Sequence, residues 1–166
     1  MAALTVALAP FSYFEIKSSL PSLTTPILTH RGQTAPVGQV IGHGLYIDFF
    51  LQLFLSAAFL CVAYVAPENI HLGWWCFSSY TPEQRDRILP LLRELMALLA
   101  FLFASYFASC IYLQIHQARS PAPSLAADWV HDAVRTQLEG LAALAAVSGL
   151  IIYAYVGRFD EIAGER

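Results

Sequence analysis

The sequence predicts an all-α protein, a multi-pass transmembrane helical bundle of about four helices. It forms a single integral-membrane domain over residues 1–166, with the first helix short. Three observations carry this. Charged residues make up 13% of the chain and hydrophobic ones 57%, whereas a soluble domain carries about a quarter charged residues. From Leu95 to Ile115 no charged residue occurs, and roughly 20 apolar residues cross a hydrocarbon core of about 30 Å. A second run, Leu45 to Ala66, is charged only at Asp48.

The helix containing Leu95–Ile115 begins at a well-marked start. Thr81 can accept a hydrogen bond from an orphan amide, Pro82 takes the first helical position, and Gln84 completes a capping box. Glu83 places negative charge at the positive end of the helix dipole. Ile88, Leu91, Leu92 and Leu95 fall on one face, with Arg85, Asp86, Arg87 and Arg93 elsewhere. The helix is expected over 82–117, with a kink at Pro90, which removes one backbone hydrogen bond. Arg93 and Glu94 stand at the membrane edge. They read as snorkelling anchors, with a buried ion pair lining a path as the alternative.

The N-terminal stretch 2–16 is apolar but has Pro10 in its middle and reaches only about 16 residues, the low limit for spanning. No basic residue precedes Lys17, so it lacks the charged front of a signal peptide. It is expected as a short or tilted membrane helix, truncated here if the true start lies upstream. Residues 18–44 carry Pro21, Pro26, Pro36, Gly32, Gly38, Gly42 and Gly44, a density that predicts a long loop.

The next helix is expected over 45–66, ended by Pro67, with Asp48 in its first turn. There a carboxylate is an end-of-helix anchor at the favourable end of the dipole. The sharper alternative is a proton-accepting or ligand-facing group. Gln52, four residues on, can share a polar patch with it. The loop 67–80 holds Trp74, Trp75, Phe77 and Tyr80, which read as an interfacial aromatic belt. Pro121 and Pro123 break the chain before a last helix over 125–157. Its start is amphipathic and its Ala142, Ala143, Ala145, Ala146, Ser148 and Gly149 allow close helix packing. The remainder, to Arg166, reads as a polar, frayed tail.

Net charge is −3 and Lys17 is the only lysine, so no basic patch suggests nucleic acid. No metalloprotease, P-loop, C-x-x-C or serine-nucleophile motif occurs, and the five histidines do not pair at helical spacing. No catalytic, metal or cofactor residue is therefore assigned, and no enzyme activity is expected. The candidate functional polar positions are His30, His43, Asp48, Gln52, Arg93 and Glu94. A metal site from His30, His43 and Asp48 is the weaker alternative to solvated loop histidines. Cys61, Cys76 and Cys110 read as small buried hydrophobes.

The helix count puts Lys17, Arg31, Arg119 and Arg135 on one side and Arg85, Arg87, Arg93, Arg158 and Arg166 on the other. The compact Arg85–Arg87–Arg93 cluster places its loop and both termini in the cytoplasm.

Leu20–Pro21, Ile27, His30 and Gly32 resemble the L-P-x-x-I-P-x-H-x-x-x-x-G signature of a bacterial integral-membrane domain of unknown function (the DUF sixteen-forty-eight class). That domain also stands at the N terminus of Sdp-type immunity proteins. Thr81–Pro82–Glu83–Gln84 with Arg87 resembles its second landmark, T-P-E-N/Q-x-x-R before the third helix. Here the second proline stands at Pro26, and the stretch to His30 is longer than in the pattern. The resemblance implies a non-enzymatic cell-membrane protein of the immunity or envelope-stress kind, with His30 as the residue carried over. The implied partners are the lipid bilayer and a membrane protein, peptide or second copy; the alternative is an accessory subunit of a larger membrane complex or transporter.

Overall fold

The computed structural model describes residues 1–28, 33–72, 75–119 and 126–164, with the backbone alone at 28 and 126–133. Four helices build it: α1 (Ala2–Ser19), α2 (Val37–Val65), α3 (Pro82–Ala118) and α4 (Ala126–Gly164). Between α1 and α2, strands β1 (Pro26–Leu28) and β2 (Thr34–Pro36) pair antiparallel with Ile27 opposite Ala35. Between α2 and α3, β3 (His71–Leu72) and β4 (Trp75–Cys76) pair in the same way. The helix α2, the helix α3 and residues Val134–Gly164 of α4 are each long and apolar enough to cross a membrane. The protein is thus an all-α integral membrane bundle, as its composition predicts.

The helix α3 is the central post. Half of its most apolar window is buried inside the protein, against 17% for α2 and 11% for α4, so the outer two present most of their apolar surface to lipid. Its start carries the expected capping box, formed with the Gln84 amide N–H donating to Thr81. Pro90 lies inside the helix, which runs on without interruption. The helix α1, 18 residues and about 27 Å long, lies beside the C-terminal half of α3. There Arg119 meets Glu15 at 3.9 Å and donates to Ser19 Oγ at 2.7 Å.

Two of the expectations for the α1–α2 region are corrected. The long loop is shorter and the second helix starts at Val37, so Gly38, Gly42, Gly44 and His43 are helical. The reason is packing. Without a side chain, Gly38 lets the helix lie against Leu20 and Leu23, where a Cβ would stand 2.7 Å from the Leu20 carbonyl oxygen. The first amides of α2 are satisfied by the preceding turn: Val37 N–H donates to Thr25 C=O at 2.9 Å and Gly38 N–H to Leu23 C=O at 3.0 Å.

Two cores close the bundle at its ends. One joins Ile16, Leu23, Ile27, Val37, Ile41, Leu45, Ile111 and Ile115. The other joins Ile70, Trp75 and Phe77 of the α2–α3 connection with Ile88, Leu92 and Leu95 of α3 and Val156, Phe159 and Ala163 of α4. This second core, the head, corrects two more expectations. Trp75 and Phe77 are each 4% exposed and form a core rather than a belt; Trp74 lies outside the described residues. The C-terminal stretch is no frayed tail, because α4 continues to Gly164 and buries Val156, Phe159 and Ala163 against α3.

Tyr80 ties the head together, accepting from Trp75 Nε1 at 2.8 Å and donating to Asp160 Oδ1. Its hydroxyl is pushed up to about 12, first by burial and then by the Asp160 carboxylate, with Trp75 acting the other way. The folded protein holds this proton more tightly than the unfolded chain, whose tyrosines titrate near 10. The stability it confers is therefore complete below about pH 10 and is lost as pH rises towards 12. A melting-temperature profile across that alkaline range is expected to show the loss, and Tyr80→Phe to reduce it.

Candidate functional site

Asp48 is the centre of the polar interior. It does not sit in a first turn at the interface as the sequence suggests. With α2 starting at Val37, it lies three turns in, about 16 Å along the helix. It is 9% exposed. Its Oδ2 accepts two hydrogen bonds, from Gln114 Nε2 of α3 and Gln137 Nε2 of α4, each 2.9 Å. Three helices thus meet on one carboxylate oxygen. A carboxylate at bilayer depth costs about 2.5–3.5 kcal/mol on the insertion scale, and two amide donors offset part of that by replacing water.

The surrounding residues hold α4 in place for this contact. Tyr106 of α3 donates its hydroxyl to the backbone C=O of Gln137 at 2.6 Å. The close approach requires Gly140, where a Cβ would stand 2.9 Å from Tyr106 Cε2. The buried Cys110 thiol lies near Tyr106 and Gln137.

Gln52 shares the buried face of α2 with Asp48, four residues on. It is 1% exposed, and neither end of its amide has a hydrogen-bond partner among the described residues. Ser56, four further on, also holds a buried, unpartnered Oγ. Asp48, Gln52 and Ser56 therefore form a polar stripe over about 12 Å of α2.

The other candidates divide. His43 is exposed on α2, while Asp48, five residues on, faces inward. This separates two members of the weighed metal site, and the third, His30, lies outside the described residues. Among the described residues no group of three or more His, Cys, Asp or Glu side chains is placed to hold a metal ion. Arg93 and Glu94 turn to different neighbours: the Arg93 guanidinium lies 5.0 Å from the Tyr64 ring of α2, and Glu94, exposed, accepts from Tyr155 of α4 at 3.0 Å. They fasten α3 to its flanking helices rather than pairing with each other.

Of the cysteines only Cys110 is buried. Cys61 is exposed on α2, and Cys76 is half-buried in the head, correcting the uniform reading as buried hydrophobes. The Cys76 thiol contacts Ser78 Oγ at 2.8 Å and lies 3.9 Å from His71 Nε2. Its ordinary value is lowered, most by the Ser78 hydroxyl, with a smaller contribution from Arg85.

Sequence reasoning missed Gln114, Gln137 and Tyr106. Gln114 carries a signal that could have found it, since an amide within an uncharged apolar run needs a partner within the bundle. Gln137 sits between the amphipathic start of the last helix and its apolar run, and only the pairing of α4 with α3 brings it to Asp48.

The fold and the site define the class: a small multi-pass membrane protein with a carboxylate-centred polar interior between three helices. No protein-family model, no curated protein and no solved structure matches the chain.

Proposed function

We propose that this is a non-enzymatic membrane protein that works by binding another membrane protein, as a small accessory subunit of a membrane complex. The observation that supports this reading is the outer face of α4. Ala142, Ala143, Ala145, Ala146 and Gly149 are all exposed, and a Cβ added at Gly149 would meet nothing within 4 Å. In lipid, helices associate through close backbone approach at small residues, because apolar surface gains nothing by leaving lipid tails. Ala142 and Ala146, and Ala145 and Gly149, stand at the four-residue spacing such faces use. The immunity or envelope-stress role implied by the resemblance belongs to the same binding class, with a peptide or toxin as partner at the α1–α2 connection.

The test is affinity purification of the tagged chain from its own membranes in mild detergent, alongside Ala145→Leu and Gly149→Leu. A stoichiometric membrane protein that is lost in both variants supports the subunit reading. A chain recovered alone, with the same yield and stability in both variants, sinks it. Recovery alone, together with protection of cells against a secreted peptide, turns the assignment to immunity.

Orientation is tested through Cys76. A membrane-impermeant maleimide is expected to label Cys76 in inside-out vesicles and not in right-side-out ones, since the Arg85–Arg87–Arg93 end is proposed to be cytoplasmic. Cys61 and Cys110, at bilayer depth, are expected to stay unlabelled until detergent is added. Labelling of Cys76 in right-side-out vesicles reverses the orientation.

A further inference from the structure

We propose that the stripe formed by Asp48, Gln52 and Ser56 binds a monovalent metal cation, of the sodium or potassium class, inside the bundle. The proposal is independent of the docking face on α4.

Charge comes first. Asp48 is 9% exposed, and no cationic side chain among the described residues reaches it. The Arg119 guanidinium goes to Glu15 and Ser19, Arg135 to Glu139 at 2.9 Å, and Arg93 to the Tyr64 ring. The other titratable groups described around it, Tyr106 and Cys110 of α3, are neutral acids and supply no positive charge. The two amide donors converge on one oxygen, Oδ2. They hold it as an acceptor but carry no net charge. A carboxylate so buried either takes up a proton or calls for one compensating positive charge.

The neutral ligands come second. Gln52, 1% exposed, has neither amide end partnered, and Ser56 Oγ is likewise buried and unpartnered. Buried polar groups are almost always paired, and leaving one unpaired costs the desolvation of that group. Residues four apart on a helix have Cβ atoms about 5–6 Å apart, so an Asp48 carboxylate oxygen and the Gln52 carbonyl oxygen can converge on one ion, with Ser56 a turn beyond. The set is one carboxylate and neutral oxygens, the ligands of hard cations. A divalent ion would leave a net positive charge in a low-dielectric site and favours several carboxylates. A monovalent ion leaves none. A proton on Asp48 would also cancel the charge, and the two occupants differ in whether stability follows cation concentration or pH.

The experiment uses the full chain in nanodiscs of zwitterionic lipid. Melting temperature is followed at fixed pH and constant ionic strength while choline chloride is replaced by lithium, sodium or potassium chloride. The expected result is a saturable rise with at least one alkali cation. Asp48→Asn is expected to abolish the rise, Gln52→Leu to raise the half-saturating concentration at least tenfold, and Glu139→Gln, on the exposed face, to leave it unchanged. If Asp48→Asn does not fold, Gln52→Leu and Ser56→Ala carry the test through the same half-saturation readout. No cation-specific rise overturns the proposal, as does a rise that survives Asp48→Asn or is unchanged in Gln52→Leu. A stability that follows pH alone, and loses that dependence in Asp48→Asn, assigns the site to a proton instead and likewise overturns it.

Discussion

Trp75→Ala is expected to destabilise the head by about 3–5 kcal/mol, the range for truncating a buried large aromatic. Trp75 is 4% exposed. Its ring centroid lies 5.0 Å from Phe159, 5.8 Å from Tyr80 and 6.2 Å from Phe77, so it touches α4 and the rest of the α2–α3 connection at once. The indole N–H donates to Tyr80, which in turn donates to Asp160 on α4. Alanine removes the ring, opens a cavity among Phe159, Phe77 and Tyr80, and takes away a donor from a half-buried hydroxyl. Trp75→Phe keeps most of the aromatic area and loses only the N–H, so its cost is expected near 1 kcal/mol. Reversible unfolding in detergent, followed by far-ultraviolet circular dichroism against rising denaturant, separates the two. A loss under about 1 kcal/mol for Trp75→Ala would mean that the indole is not a core side chain in solution.

That core also shows where sequence patterning stops being informative. Aromatic residues next to a membrane helix read as a belt because the local pattern gives no sign of a partner. What converts Trp75 and Phe77 into a core is the continuation of α4 past Val156 to Gly164, which supplies Phe159 and Ala163 from the far end of the chain. The start of α3 was legible because a capping box is local: Thr81 and Gln84 are three residues apart and need nothing else. The apolar runs were legible for the same reason, since length against bilayer thickness is a property of one segment. Asp48 was legible as a polar position but not as a centre. Its partners Gln114 and Gln137 come from two other helices, and its depth depends on where α2 begins. The density of proline and glycine over 18–44 reads as a loop, because local punctuation carries no sign of the close packing that the missing side chain of Gly38 allows.

Gly38 gives that last point its test, because two effects of opposite sign compete there. Replacing a glycine in a helix interior by alanine gains about 0.8–1.0 kcal/mol of intrinsic helix propensity, which is an upper bound at Gly38, the second residue of α2. Overpacking against a fixed neighbour loses about 1–3 kcal/mol. At Gly44 a Cβ meets nothing within 4 Å, so only the first effect acts. At Gly38 it would stand 2.7 Å from the Leu20 carbonyl oxygen and 3.3 Å from Leu23 Cβ. The nearer contact is backbone, which no rotamer change can relieve. The same turn accepts the Gly38 and Val37 amides through Leu23 and Thr25, so moving it away also weakens two helix-start hydrogen bonds. Gly44→Ala is therefore expected to raise the melting temperature slightly, Gly38→Ala to lower it, and Gly38→Val to lower it most. The added methyls of valine carry both the steric cost and the lower helix propensity of a β-branched residue. If Gly38→Val left the melting temperature at or above that of the parent, the seat of α2 against the Leu20–Leu23 turn would be wrong. The start of α2 at Val37, which sets the depth of Asp48, would fall with it.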